Sequence, residues 1–319
     1  MPLGEFDLIA KYFDRPVRRA ALGVGDDCAL LQPAPGMQLA VSTDALVEGR
    51  HFLPTVPPER LGHKALAVNL SDLAACGAQP LGFTLALAMP RVDEPFLAGL
   101  SQGLFALADR FGIELVGGDT TAGPLNLTLT VFGEVPPGQA LLRSGARAGD
   151  DIYVSGTLGD ARLALEVFRG RCTLDGAAFE SVRHAMECPE PRVNLGLALR
   201  GIASAAIDLS DGLVGDLSHV LQRSGVGATV EWPRLPRSAV LAAQPAALQH
   251  ECLLAGGDDY ELLFTAPPAR REAVQAAASR AGVPVTRIGA IEAQPGLRVL
   301  DEAAQPLAAA VQSFDHFKS

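Results

Sequence analysis

The sequence predicts an α/β protein of two domains, and three observations carry that prediction. At 319 residues the chain is long for a single hydrophobic core. Apolar runs with strand-like character take turns with runs at helical spacing along most of its length. The pattern breaks at Pro136-Pro137-Gly138, which marks a boundary between residues 1–137 and residues 138–319.

The N-terminal stretch MPLGEFDLIAKYF carries acids early and reads as a short amphipathic helix, not a secretion signal. Gly23-Val24-Gly25-Asp26-Asp27 then precedes the apolar Ala29-Leu30-Leu31. It suits a tight turn before a strand, and equally a glycine-hinged pair of acids for a hard cation. Gln38–Val41 predicts a strand that delivers Ser42-Thr43-Asp44 at its end, three oxygen donors of the kind magnesium accepts. His51, between Arg50 and Phe52, has a surface or packing role as its default reading. Pro54, Pro57 and Pro58 close that segment and start the next helix.

That helix, Lys64–Gly77, is the stretch around which the chain is organised. Ala65, Leu66, Val68, Leu70, Leu73 and Ala74 supply an apolar body, and Asn69 and Asp72, three apart, leave it on one face. An acid on an otherwise apolar helix loses solvation unless a cation or donor meets it. A capping or salt-bridging role and a ligand role both satisfy that demand.

Leu81–Met89 reads as a buried strand and Glu94–Phe111 as a core-facing helix. Ile113–Val116 is a short strand that empties into Gly117-Gly118-Asp119-Thr120-Thr121, where glycines let backbone N–H groups approach a ligand. Leu125–Val135 is the next strand. Beyond the break stands Arg143-Ser144-Gly145, whose arginine suits either solvent or a phosphate. Strands at Asp151–Ser155, Ala205–Leu209, Val226–Trp232, Leu262–Thr265 and Pro284–Ala290 alternate with helices at Gly159–Arg169, Arg192–Arg200, Leu213–Arg223 and Ala269–Gly282. Asp208-Leu209-Ser210-Asp211 sits at one strand-to-helix junction, and Gly256-Gly257-Asp258-Asp259-Tyr260-Glu261 precedes another strand.

Composition removes several classes of function. A net charge of −10 argues against a nucleic-acid binder, which needs a basic face. The longest uncharged run, Leu73 to Pro90, is broken by Gly77, Pro80 and Gly82, so no membrane span is expected. Five scattered cysteines form neither a disulfide framework nor a zinc site, and a cytoplasmic protein is expected. No dinucleotide fingerprint and no Walker loop occurs, and only three lysines are present.

What recurs is aspartate among Gly, Ser or Thr: Asp27, Asp44, Asp72, Asp119, Asp208, Asp211 and Asp258. In open α/β sheets ligands bind at the strand ends. Acids sharing one cleft repel unless divalent cations lie between them, and magnesium bridges carboxylates to phosphates. The residues alone therefore point to a magnesium-dependent ATP enzyme.

The set GVGDD, STDALVEGRHF, KALAVNLSDLAACGA, GGDTT, RSGA, IDLSDGL and GGDDYELLFT closely resembles the thiamine-monophosphate kinase family, in the family's order and over essentially the whole chain to Phe314-Asp315-His316-Phe317. The resemblance implies ATP-dependent phosphorylation of thiamine monophosphate to thiamine diphosphate. It implies several magnesium ions held by Asp27, Ser42, Thr43, Asp44, Asp72, Asp119, Asp208 and Asp211. Gly118, Asp119, Arg143 and Ser210 would meet ATP, and His51, Asp258 and Phe314 would line the thiamine pocket. The family often carries Glu at the position of Asp258, and Tyr or Trp at that of Phe314. It implies too an N-terminal mixed sheet with helices that pairs with its twin in a homodimer, and a C-terminal α/β domain that closes the cleft. Two other readings stand beside this one: a related ATP enzyme with another small substrate, and a non-catalytic sensor that keeps the fold, against which the intact set of acids argues.

Overall fold

The computed structural model describes residues 4–307. The chain divides into two compact units, one holding residues up to Leu73 with Ala78–Gly138, the other Ala74–Gly77 with residues from Gln139 on.

In the first unit the elements run α1 (Glu5–Tyr12), β1 (Gln38–Val47), α2 (Pro58–Ala75), β2 (Gln79–Met89), α3 (Glu94–Phe111), β3 (Glu114–Ala122) and β4 (Asn126–Val135). The four strands form one mixed sheet in the order β1-β4-β2-β3, with β2 and β3 parallel and the other pairs antiparallel. Leu46, Leu127, Leu129, Val131, Phe83 and Leu87 alternate along β1, β4 and β2 and are all buried. Helix α3 has sharp ends. The Asp93 side chain accepts the Phe96 N–H at 3.0 Å, and Gly112 closes the last turn in the left-handed region.

Helix α2 begins at Pro58, six residues before the expected start, because proline suits a first helical turn. It is also less amphipathic than expected. From Lys64 to Ala75 every residue is buried except Asp72. Strand β1 is longer than expected and runs straight through Ser42-Thr43-Asp44, which therefore stand in the middle of an edge strand and not at its end. Likewise Gly117–Thr121 lies within β3, past a bulge at which Leu115 pairs with Phe83 and Gly117 with Thr84. Ala29-Leu30-Leu31, just after Asp27, form no strand. Leu30 makes a single bridge to Leu22.

The second unit runs β5 (Asp151–Ser155), α4 (Asp160–Phe168), α5 (Gly176–Glu187), α6 (Val193–Ala198), β6 (Ala205–Asp208), α7 (Leu213–Ser224), β7 (Gly227–Glu231), α8 (Ala239–Ala242), α9 (Ala246–Ala255), β8 (Leu262–Ala266), α10 (Arg271–Ala281), β9 (Val285–Glu292) and β10 (Gly296–Leu300). Its six strands form a mixed sheet in the order β10-β7-β9-β5-β8-β6. Ile152, Val154, Leu163, Ile207, Leu217, Val220, Leu253, Leu263 and Ile288 belong to one buried cluster that joins the sheet to its helices. Among the described residues no helix is long and apolar enough to cross a membrane.

One ion-pair cluster ties α10 to the sheet. Asp151 opens β5, is buried, and accepts Arg271 Nε at 2.7 Å and Nη2 at 2.8 Å, with Arg287 Nη1 at 3.0 Å. Hydrogen bonding from Arg271 holds the Asp151 carboxyl below the usual carboxylate range against the opposing pull of burial, with further help from Arg287. A carboxylate depressed in this way stabilises the fold above its unfolded value, and that contribution fades as pH falls through the folded value. Asp151→Ala should therefore lower stability by about 1–2 kcal/mol at pH 7, a modest figure because both arginines are partly exposed. The gap to wild type in urea unfolding should narrow below about pH 4. A gap independent of pH would assign the loss to packing alone.

Candidate active site

The site in the first unit is built where α2 meets β1. Side chains two apart on a strand share a face, so Ser42 and Asp44 point the same way, toward α2. Side chains three apart on a helix do likewise, so Asn69 and Asp72 point back. Ser42 Oγ donates to Asp72 Oδ2 at 2.5 Å. Asn69 is fully buried and satisfied on both ends: its Oδ1 accepts the Asp44 N–H at 3.1 Å, and its Nδ2 donates to the Ala65 carbonyl at 3.0 Å. The polar notch of α2 thus fixes both the main chain of β1 and one of its hydroxyls.

Thr43 stands apart from this group. Its hydroxyl lies on the opposite face of the sheet, 2.9 Å from the Thr130 hydroxyl with which it is in register. The side chain of Thr43 does not join Ser42 and Asp44.

Asp27 and Asp119 meet elsewhere in the unit. They help line a cavity of about 440 Å³ together with Asp26, Gly118, Ile9 of α1 and Phe13 just past its end. That volume suits part of a nucleotide, with apolar walls on one side and acids on the other. Gly118 is obligatory here for a packing reason: a β-carbon would stand 1.9 Å from the Leu85 carbonyl oxygen, so any other residue would force β3 away from β2.

His51 sits in the turn after β1. Its Nδ1 accepts the Val47 N–H at 3.0 Å, which puts the proton of a neutral ring on Nε2. Lys64 is buried and donates to the His51 carbonyl at 3.3 Å. Lys64 therefore supports the turn that carries His51.

In the second unit the candidate residues share one backbone ladder. Beyond the end of β6, Leu209 N–H bonds the Glu261 carbonyl at 2.9 Å, Tyr260 N–H bonds the Leu209 carbonyl at 2.8 Å, and Asp258 N–H bonds the Ser210 carbonyl at 2.9 Å. The Asp208–Asp211 loop and Asp258 are thus held side by side. The approach is close, since a β-carbon on Gly257 would stand 2.3 Å from the Ser210 carbonyl oxygen. Asp258 and Tyr260 have φ of 68° and 49°, left-handed values that cost about 1–3 kcal/mol each for such residues. What holds them is visible next door: Glu261, buried, takes Nε of Arg192 at 2.7 Å and Nη2 at 2.5 Å and accepts the Ser155 hydroxyl. Both oxygens of Asp259 accept the Gly159 N–H, at 2.9 and 3.1 Å.

Arg143 is exposed on a loop anchored to the end of α7, where Ser224 Oγ accepts the N–H groups of Gly145 and Ala146 at 3.2 Å each. Asp216, which the sequence did not single out, is buried in the first turn of α7 and accepts the Asp211 N–H at 3.0 Å. Burial pushes its carboxyl up to about 7; the Asp211 N–H and the Arg143 charge oppose that rise, while the Asp211 charge adds to it. Its signal in the sequence was only one more aspartate five residues after Asp211, indistinguishable from a solvated helix residue. Phe314 lies outside the described residues.

Among the described residues no three His, Cys, Asp or Glu side chains converge as a ready-made metal cage. The donors present are nonetheless all hard oxygens in small sets: Ser42 with Asp44 and Asp72, Asp27 with Asp119, Asp208 with Asp211. Such open sets suit magnesium, which keeps waters and takes its remaining oxygens from phosphates.

Residues 25–135 match the AIR synthase related protein N-terminal domain family, and residues 147–302 match the corresponding C-terminal domain family. The chain is 48% identical to the thiamine-monophosphate kinase of Salmonella typhimurium, over 99% of each chain. The solved structure of thiamine-monophosphate kinase from Stenotrophomonas maltophilia superposes with a TM-score of 0.84 at 46% identity, covering 92% of this chain and 94% of the other. AaThiL complexed with AMPPCP and TMP superposes with a TM-score of 0.78 at 30% identity, covering 90% of this chain and 89% of the other.

Proposed function

The chain belongs to the thiamine-monophosphate kinase family, and from that premise we propose how its residues work. It is an ATP-dependent phosphotransferase that converts thiamine monophosphate to thiamine diphosphate. The observation that carries the proposed mechanism is the convergence of Ser42 and Asp44 on Asp72 and Asn69, oxygen donors held by hydrogen bonds between β1 and α2.

Asp27, Ser42, Asp44, Asp72 and Asp119 in the first unit, and Asp208 and Asp211 in the second, would hold magnesium. Thr43 would join through its main-chain oxygen, since its hydroxyl is turned to the other face. When bound, magnesium neutralises phosphate charge and aligns the β- and γ-phosphates. Gly118, Asp119, Ser210 and Arg143 are assigned to ATP, with the Arg143 guanidinium suited to a bidentate phosphate contact. His51 is assigned to thiamine monophosphate as a donor through Nε2, and Asp258 as an anion facing the thiazolium. Phe314 is assigned to the same substrate as a stacking ring.

A phosphate oxygen of thiamine monophosphate attacks the γ-phosphorus in line. The bond from that phosphorus to the bridging oxygen breaks, and ADP leaves with the electron pair. The attacking oxygen is already ionised at neutral pH, so no side chain need act as a general base. The protein contributes positioning and charge compensation, which the ladder at Leu209–Ser210 and the α2–β1 contact supply. The use of ATP, and the absence of any disulfide among the described residues, support a cytoplasmic setting.

A homodimer belongs to the same reading. Leu39 and Val41 stand 47% and 56% exposed on the face of β1 turned away from α2, an apolar edge that a second copy would cover. The first unit would be the dimerising and metal–nucleotide domain, and the second the α/β domain that completes substrate binding.

Incubation with ATP, magnesium and thiamine monophosphate should give ADP and thiamine diphosphate in equal amounts by mass spectrometry, and excess EDTA should abolish both. ATP consumption without thiamine diphosphate would refute the reading. Asp72→Asn keeps the volume of the side chain but removes its charge. Turnover should fall at least about a hundredfold, roughly the several kcal/mol that a metal contributes at a phosphoryl centre, with the melting temperature nearly unchanged. Near-normal turnover at saturating magnesium would remove Asp72 from the metal site. For assembly, sedimentation at micromolar concentration should show a dimer for the wild type and a shift toward monomer for Val41→Asp. A wild-type monomer would refute the dimer.

A further inference from the structure

Asp216 is the fourth residue of α7 and only 2% exposed. Its Oδ2 accepts the Asp211 N–H at 3.0 Å. Gly212 is the N-cap of α7 and brings no side chain to cap the helix. An acid in a first helical turn is ordinary, and exposed to solvent it gains about 0.3–1 kcal/mol from the helix dipole. Burying it forfeits solvation worth more than that gain, so capping alone is a poor account of its position. Asp216 also reaches further than a cap needs to. Asp211 stands outside the helix, one residue before the N-cap, and is a candidate metal ligand in its own right.

The other edge of the same loop is held as well. The Ser210 carbonyl accepts the Asp258 N–H at 2.9 Å, and Leu209 is bonded on both its N–H and its carbonyl. Residues 209–212 are therefore gripped from two sides, by the 258–261 segment on one and by the Asp216 carboxylate on the other.

We propose that Asp216 is a positioning residue for phosphoryl transfer, its carboxylate fixing the Asp211 main chain so that Ser210 and Asp211 meet the metal and nucleotide without rearranging. The inference rests on the assignment of those two residues to ATP and metal. A ligand held in place before binding spares the complex the cost of ordering a loop, and the loss of such supporting partners weakens metal binding by about 10–100-fold.

The test is Asp216→Asn, which keeps the size but turns one of the two acceptor oxygens into a donor. Mn²⁺ binding would be followed by electron paramagnetic resonance in the presence of the non-hydrolysable ATP analogue AMPPCP, beside the thermal midpoint and the KM of each substrate. The proposal expects Mn²⁺ affinity to weaken about tenfold and turnover to fall with it, while the KM for thiamine monophosphate changes less than twofold. A lowered thermal midpoint with unchanged Mn²⁺ affinity would reduce Asp216 to a helix cap and overturn the proposal. Wild-type protein that binds no Mn²⁺ would overturn the metal assignment, and the proposal with it. If Asp216→Asn does not fold, hydrogen exchange on the wild type decides. The Asp211 amide should be protected in the ligand-free protein, and protection that arises only on adding Mn²⁺ and AMPPCP would overturn the pre-formed grip.

Discussion

The contact on which the first unit depends is the one between Asn69 and the main chain of Asp44. A fully buried amide is tolerable only if it is satisfied, and leaving such a group unpaired costs about 1–3 kcal/mol. Asn69 meets that demand by reaching across to β1, which locks strand to helix at a single register. Once that register is set, much else follows. Ser42 lands against Asp72, Thr43 is turned to the far face, and the apolar Leu39 and Val41 are left exposed on that face. One buried polar side chain therefore sets both the donor group of the site and the apolar edge outside it.

The second unit solves the same problem by other means. Its candidate residues stand on loops, where a flexible backbone would cost ordering entropy on binding. The backbone is instead paired outward from the ends of β6 and β8, and two residues in left-handed conformations are kept there by the buried Glu261–Arg192 pair. Strain of this kind persists only where surrounding structure over-determines it. Here the over-determination comes from the ion pair, the Ser155 hydroxyl and the close approach of Gly257.

Much of the architecture was legible in the sequence because apolar periodicity and end signals agreed. Helix α3 has a proline and an acid in its first turn and a glycine just past its end, and its limits match the expectation to the residue. The misses share a physical cause. Ser42-Thr43-Asp44 and Gly117–Thr121 read as loops because a strand that carries ligand groups loses its apolar alternation, yet both are strand. Helix α9 escaped notice because its polar residues Gln249, His250 and Glu251 are consecutive and leave no apolar stripe at helical spacing, and α5 because Gly176 opens it and charges interrupt its apolar stripe. Within the candidate site, the pairing of Asn69 and Asp72 could be read from spacing alone. The sidedness of Thr43 could not, because it needed the knowledge that residue 43 stands in a strand. Nor could the role of Asp216, whose importance lies in a main-chain hydrogen bond invisible in one dimension.

The account assigns to this protein positioning and charge compensation, with no covalent nucleophile among its side chains. The most direct test of that claim is the stereochemical course at phosphorus, followed with ATP made chiral at the γ-phosphate by oxygen isotopes and sulfur. A single in-line transfer to thiamine monophosphate predicts inversion of configuration in the thiamine diphosphate formed. Retention would require two displacements through a phosphorylated side chain, and would contradict the account.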